Sequence, residues 1–302
     1  MEKKLSERIV KVAAVQSEPI WFDLAATTDK TVELVAEAAE KGAQIVAFPE
    51  VWLPGYPVFL WLGDEAWQAG YRSKYIENSA VFGGPEHERI ASAAAKHGIQ
   101  VVLGLSERDA GGRIYMAQWI IDETGKTVLA RRKLKPSGAE GTFYSPGDPK
   151  TNLIVVETGL GTLGALNCSE HKRPMLRHVM FGLKEEIHVA AWPAFGLVPE
   201  VVTMSAKVNM NATSAYASEG GMFVLAPTQV IGADLHKAFS DTPERARKIS
   251  YGGGATHIFN PEGQDVVEPL GHDVDGLLLA EIDLSRIRHP FDPDPLAPIG
   301  EL

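Results

Sequence analysis

"GALNCSEH", residues 164–171, holds the only cysteine of a 302-residue chain. The apolar run that feeds it, "LGTLGALNC" (160–168), has the character of a strand buried on both faces. It turns polar at once as Ser169, Glu170 and His171 crowd about Cys168. The segment "PMLRHVMFGLKEE" that follows is helical in pattern and leads into a further apolar run, "IHVAAWPAFG". A strand that ends on a thiol and gives way to a helix is one step of an alternating α/β chain.

The alternation continues in both directions. "IVKVAAVQ" (9–16) reads as a strand and "DLAATTDKTVELVAEAAEKGA" as a helix ending at Gly42, with "AQIVAFPE" (43–50) as the next buried strand. "PEHERIASAAAKHG" (85–98) is a helix before the strand "IQVVLGLSER". "GRIYMAQWIID" and "GKTVLARRKLK" pattern as a hairpin around "ETG". Beyond Cys168, 202–220 has the small residues of a buried helix, followed by the strand "GMFVLAPTQVIG". "GGGATHIFNPEGQDVVEPL" and "DGLLLAEIDL" are expected to form a strand pair about a Pro-Glu-Gly turn. No linker or shift of composition divides the chain, so one domain over 1–302 is expected, with a Pro-rich tail from about 286.

Three of these strands end on a reactive group: "IVAFPE" on Glu50, "LARRK" on Lys133 and "LGALNC" on Cys168. In α/β architectures, loops at the carboxyl ends of strands converge over a rigid sheet, and sites gather there. A cysteine that opens a helix is expected to have its thiol pKa lowered by the helix dipole and unpaired amides. A nearby carboxylate suits a general base and a nearby ammonium suits charge stabilisation. Taken singly, each reads better as an inert buried thiol, a loop carboxylate and a solvated edge-strand lysine than as a reactive group. Lys133 and Lys135 share one side of an alternating strand, and spacing alone does not separate them.

Composition narrows the classes. The chain is 45% hydrophobic and 23% charged, enough to bury a core. Lys+Arg 29 against Asp+Glu 39 gives a net charge of −10 with no basic stripe, which argues against nucleic acid. One cysteine forms no intrachain disulfide or thiolate cluster and fits a reducing cytoplasm. The first residues make a poor signal peptide, and no run approaches the ~20 apolar residues of a membrane span.

In this order the three groups resemble the Glu-Lys-Cys triad of the nitrilase branch of the carbon–nitrogen hydrolase superfamily. "FPEVWLPGYP" (48–57), "RRKLKPSGAE" (131–140) and "LNCSEH" (166–171) are similar to its glutamate, lysine and cysteine segments. "NSAVFGGPE", "GLSER", "IHVAAWP", "FVLAPTQVIG" and "GGGATHIFNPEG" extend the likeness from about 9 to 285. The resemblance implies a four-layer αββα sandwich, paired as a homodimer or higher homo-oligomer. It selects Lys133 over Lys135, and it matches Glu140 to a fourth polar residue that orients the lysine or assists with water. Tyr56 and Trp192 correspond to positions lining the nitrilase pocket; Trp52 and Ser169, close to Glu50 and Cys168, join them as substrate-binding candidates.

Ser-Glu-His after Cys168 resembles the nitrilase pattern of an aromatic, Glu and His, where amidases and carbamoylases carry an aromatic and Asp. The implied activity is hydrolysis of a small organic nitrile to acid and ammonia through a covalent thioimidate and thioester. Some amide release and no metal or organic cofactor are expected. An amidase or N-carbamoyl amide hydrolase with the same triad is the nearest alternative, and a non-catalytic scaffold of the same fold or a redox-sensing thiol are others. Two departures bear on the pocket: Ser169 replaces the usual tryptophan, and "SGAE" replaces a Thr-containing form.

Overall fold

The computed structural model describes residues 8–289; the N-terminal seven residues and the Pro-rich stretch from 290 onward lie outside them. The chain runs β1 (Ile9–Ser17), α1 (Leu24–Glu40), β2 (Ile45–Ala47), α2 (Phe59–Leu62), α3 (Glu65–Glu77), α4 (Pro85–His97), β3 (Gln100–Arg108), β4 (Ile114–Ile121) and β5 (Thr127–Arg132). It continues with α5 (Pro149–Asn152), β6 (Val156–Thr158), β7 (Gly161–Asn167), α6 (Pro174–Gly182), β8 (Ile187–Ala191), α7 (Ala206–Gly220), β9 (Phe223–Ala226) and β10 (Thr228–Gln229). α8 (Ala233–Phe239), α9 (Pro243–Arg247), β11 (His257–Phe259) and β12 (Gly276–Asp283) complete it.

Two sheets form. The first has the order β10-β1-β2-β3-β4-β5, with β12 beside β1; the second has the order β11-β9-β8-β7-β6. Strand alternation assigns the layers. Val10, Val12 and Ala14 of β1 pack with Leu163, Val189 and Leu225 of the second sheet, filling the space between the sheets. Ala13 and Val15 point the other way, onto Leu34, Val35 and Ala38 of α1 and Ala93 and Ala94 of α4. On the far side of the second sheet, Leu166, Ala190 and Val224 meet Met180 and Phe181 of α6 and Met210 and Ala217 of α7. The layers are therefore α, β, β, α, as expected. No helix among the described residues is long and apolar enough to cross a membrane.

β1, β2 and β3 are parallel, and β5 shares their direction because it is antiparallel to β4, itself antiparallel to β3. β7, β8 and β9 are parallel in the second sheet. Glu50 and Lys133 thus leave the carboxyl-end edge of one sheet, while Cys168 leaves the carboxyl end of β7 in the other. One expected pairing is corrected. β11 and β12 belong to different sheets: β11 pairs with β9, and β12 lies antiparallel along all but the end of β1, from Ile9↔Asp283 to Gln16↔Gly276. The Pro-Glu-Gly turn does form, with Asn260 N–H bonded to Gln264 O at 2.8 Å, but it returns the chain only locally.

Candidate active site

The glutamate loop is pinned from both sheets. Phe48 N–H donates to Val102 O at 2.8 Å, extending the parallel ladder, and Glu50 N–H donates to Trp192 O at 3.2 Å, just past β8. Gln229 Nε2 donates to the carbonyls of Glu50 and Val51 at 2.8 and 3.1 Å. The loop passes so close over β3 that a Cβ at Gly104 would stand 2.0 Å from Pro49 O, a distance only glycine tolerates. The Glu50 carboxylate is fully buried; its Oε1 accepts from Lys133 Nζ at 2.8 Å and its Oε2 has no hydrogen-bond partner among the described residues. Burial pushes the carboxyl up to about 8, against the opposing pull of Lys133 and with help from Glu140.

Lys133 follows β5, and its N–H still reaches Met116 O at 2.7 Å, so the side chain projects from a fixed backbone. The ammonium also donates to Glu140 Oε2 at 2.8 Å. Burial alone would lower its pKa, but the two carboxylates outweigh that and hold it well above the ordinary lysine value. Glu140 is buried in a 3-10 turn (Gly138–Thr142) closed by a capping box with Ser137, and Tyr56 O–H donates to its Oε1 at 2.6 Å. Lys135, two residues on, is exposed to solvent, so burial separates the two lysines where periodicity did not.

Cys168 starts a single 3-10 turn, Cys168–Lys172, with φ +46°. The Glu170 carboxylate fixes this turn by accepting from Asn167 N–H at 2.8 Å and Leu134 N–H at 2.9 Å, while Arg131 Nη2 lies 2.8 and 3.0 Å from its two oxygens. The expected lowering of the thiol pKa does not occur. α6 begins only at Pro174, so no helix dipole acts at Cys168; burial, with the negative charge of Glu50, pushes the thiol well above its ordinary value. The resting group is a thiol, and a base is needed to ionise it.

Cys168, Ser169, Glu140 and Tyr56 line one cavity of about 150 Å³, walled by Trp61, Pro193, Ala194, Phe195, Leu197 and Met204. Glu50 and Lys133 reach it through Glu140 and through their charges, which act on Cys168. Ser169 Oγ bonds Ser137 Oγ, joining the cysteine and lysine turns. Trp52 and Trp192 do not line the cavity. Trp52 is wholly buried in the layer between the first sheet and its helices, where its indole N–H donates to Thr31 of α1 at 2.8 Å. Trp192 is buried behind the wall, against His171 and Phe195. The tryptophan that does face the cavity is Trp61; it sits on α2, in a stretch too short to show a period in the sequence.

Comparison with known proteins places the chain in a family. The carbon–nitrogen hydrolase family profile matches residues 11–289. The chain is 44% identical to an aliphatic nitrilase from Rhodococcus rhodochrous over 92% of its own length and 76% of that protein's. The chain belongs to the carbon–nitrogen hydrolase family, on its nitrilase branch. It is also 43% identical to a nitrilase from Pseudomonas syringae pv. syringae (92% and 82% of the two lengths) and 40% identical to an arylacetone-specific nitrilase from Alcaligenes faecalis (93% and 79%). Among solved structures, a carbon–nitrogen hydrolase from Helicobacter pylori G27 superposes with a TM-score of 0.72 at 18% identity, covering 92% and 90% of the two chains. An amidase from Nesterenkonia sp. AN1, with the acetamide moiety of fluoroacetamide added covalently at its active site cysteine, gives 0.68 at 18%, covering 92% and 91%.

In this carbon–nitrogen hydrolase several buried polar residues also escaped the sequence reading. Arg131, Glu170 and Gln229 do not line this cavity but fix the segments that carry the three reactive groups. Glu170 is signalled by its place in a polar cluster directly after a buried strand and by its match to the Glu of the nitrilase pattern, neither of which shows what it bonds. For Arg131, inside a run of basic residues, burial by a partner 39 positions away left no local trace.

Proposed function

We propose that this chain hydrolyses organic nitriles to the carboxylic acid and ammonia, with Cys168 as nucleophile, Glu50 as general base, Lys133 as the charge-stabilising group and Glu140 holding the lysine. The observation that carries the reading is the buried row Glu50–Lys133–Glu140, with both bonds at 2.8 Å, beside a thiol that opens on an apolar cavity. Similarity to nitrilases supports nitrile as the electrophile.

Glu50 takes the thiol proton as sulfur attacks the nitrile carbon, forming the C–S bond, and passes that proton to the nitrile nitrogen to complete the thioimidate. Its elevated pKa fits a base that works near neutrality. Lys133 stabilises the negative charge that grows on nitrogen. Water adds to give a tetrahedral species, ammonia leaves, and a second water activated by Glu50 cleaves the thioester, returning the proton to sulfur. If the tetrahedral species expels sulfur instead, amide is released. Cavity walls of Trp61, Phe195, Leu197 and Met204 suit an apolar substituent on the nitrile.

A homo-oligomer and a reducing compartment complete the reading. Met175, Val179 and Leu183 form an exposed apolar stripe at helical spacing along α6 and just beyond it, which supports self-association through that helix. The deciding experiment is a panel of paired nitriles and amides in which ammonia, acid and amide are all quantified, with Cys168→Ala as control. Nitrile turnover that disappears in the variant, with a substrate-derived mass on the wild type under rapid quench, is the expected result. Turnover of amides alone would assign the chain to amide hydrolysis.

A further inference from the structure

A second set of buried polar groups starts from the backbone carbonyl of Cys168 and runs away from the cavity lining. His171 Nδ1 lies 2.8 Å from Cys168 O, and His171 Nε2 lies 2.9 Å from His188 Nε2. His188 Nδ1 is 2.7 Å from Glu185 Oε2, and Tyr216 O–H donates to Glu185 Oε1 at 2.5 Å. All four side chains are fully buried, and none lines the cavity. The sequence makes room for them: Gly164 pairs with His188 across β7 and β8, and a Cβ at Gly164 would stand 1.7 Å from Glu185 Oε2.

Hydrogen-bond polarity fixes how many protons this row holds. A carbonyl only accepts, so His171 Nδ1 must carry hydrogen. Between the rings, one nitrogen donates and the other accepts. Three arrangements obey both rules: an imidazolium at His188 beside a carboxylate, two neutral rings beside a protonated Glu185, or an imidazolium at His171 with His188 donating to a carboxylate. Each holds three protons on His171, His188 and Glu185 and has no net charge. Two neutral rings and a carboxylate hold only two, and some junction then sets lone pair against lone pair. Burial, followed by the neighbouring His188, outweighs the bond to Cys168 O and holds His171 well below the ordinary histidine range, which disfavours the third arrangement. A row without net charge also avoids an uncompensated ion in a dry interior.

We propose that Glu185, His188 and Tyr216 are positioning residues that act through His171 to hold the Cys168 peptide, and with it the left-handed backbone (φ +46°) that presents the thiol to the cavity. A non-glycine residue in that region persists only where its surroundings fix it. The inference rests on the function proposed above for its kinetic readout but not for its spectroscopic one.

Glu185→Gln separates proton supply from mere filling of space. The amide N–H donates to His188 Nδ1, the amide oxygen accepts from Tyr216, His188 Nε2–H donates to His171, and His171 Nδ1–H still reaches Cys168 O. Every junction is satisfied with no additional proton. Glu185→Ala lacks the group altogether. Glu185→Gln is expected to keep kcat within about threefold of wild type, while Glu185→Ala loses about 10- to 100-fold in kcat with KM nearly unchanged. Nitrogen-15 spectra of histidine-labelled wild type and Glu185→Gln are expected to show His171 as the Nδ1–H tautomer. Finding His171 as the Nε2–H tautomer, or wild-type kcat in a folded Glu185→Ala, overturns the inference. If the wild type turns over no nitrile, the function proposed above fails, and the tautomers still decide this row.

Discussion

Arg131 and Glu170, both fully buried, are joined through a single guanidinium nitrogen that lies 3.0 and 2.8 Å from the two carboxylate oxygens. Arg131 belongs to β5, two residues before Lys133; Glu170 belongs to the turn that begins with Cys168. The same carboxylate accepts the backbone N–H of Leu134, and Arg131 Nη1 donates to Gln118 Oε1 at 2.6 Å. The pair therefore ties one sheet to the other at the place where ammonium and sulfur must meet, and its satisfied lone pairs offset the desolvation of two buried ions.

Removing one partner strands the other. Arg131→Met leaves the Glu170 carboxylate buried without its cation, held only by two backbone N–H groups, a loss of about 3–5 kcal/mol in unfolding free energy. Denaturant titration measures it, and an unchanged midpoint would show that the bridge does not hold the two sheets.

Burial also distinguishes the two lysines. Lys133→Ala deletes an ammonium with two carboxylate partners and is expected to lower kcat/KM by about 10²- to 10³-fold, whereas Lys135→Ala, at an exposed position, stays close to wild type. Steady-state kinetics on one nitrile compares them, and the reverse ranking would reassign the charge-stabilising role.

Glu50 gives a pH dependence of defined sign. Its carboxyl titrates at about 8 in the folded chain against 4.5 in the reference state, so the folded form binds more protons between those values. The stability contributed by its protonated form is complete below 4.5 and is lost as pH rises through about 8. The basic form needed for attack grows over the same rise, so kcat/KM should climb on its acid limb through about 8. Glu50→Gln removes activity and should gain stability relative to wild type as pH increases across this window, measured by denaturant midpoints at several pH values. A constant difference would place the titration elsewhere.

The tryptophans report on separate layers. Trp52→Ala empties a site packed between the first sheet and α1 and should cost about 3–5 kcal/mol of stability. Trp61→Ala widens the cavity and should shift the ranking of nitriles by substituent size. Thermal unfolding and a substrate series, run on both variants, compare the effects; a substrate shift in Trp52→Ala with unaltered unfolding would contradict the layering.

Much of this was legible in the chain because strands buried on both faces carry long apolar runs and end abruptly in polar groups, as at Glu50 and Asn167-Cys168. What could not be read were choices made at long range. "DGLLLAEIDL" alternates as any edge-facing strand does, and nothing local says that it lies along β1, some 270 residues away, rather than beside the preceding strand. Trp52 and Trp61 are equally apolar in sequence, yet only the path of the loop decides which one turns to the core. The pKa of Cys168 departs from expectation for a related reason: the strand-to-helix junction is visible in the sequence, but the intervening 3-10 turn that separates the thiol from α6 is not. Glu170 and His171 are visible as a polar cluster, but not the buried partners that give them work, and His188 sits unmarked within the apolar strand β8.

The reactive groups hang from strand ends braced by both sheets, whereas Trp61, Phe195, Leu197 and Met204 stand on α2 and on the connections after β8. Bond cleavage and substrate preference are thereby entrusted to separate stretches of polypeptide, so new specificities can be explored by mutation around the rim while the chemical machinery is inherited intact.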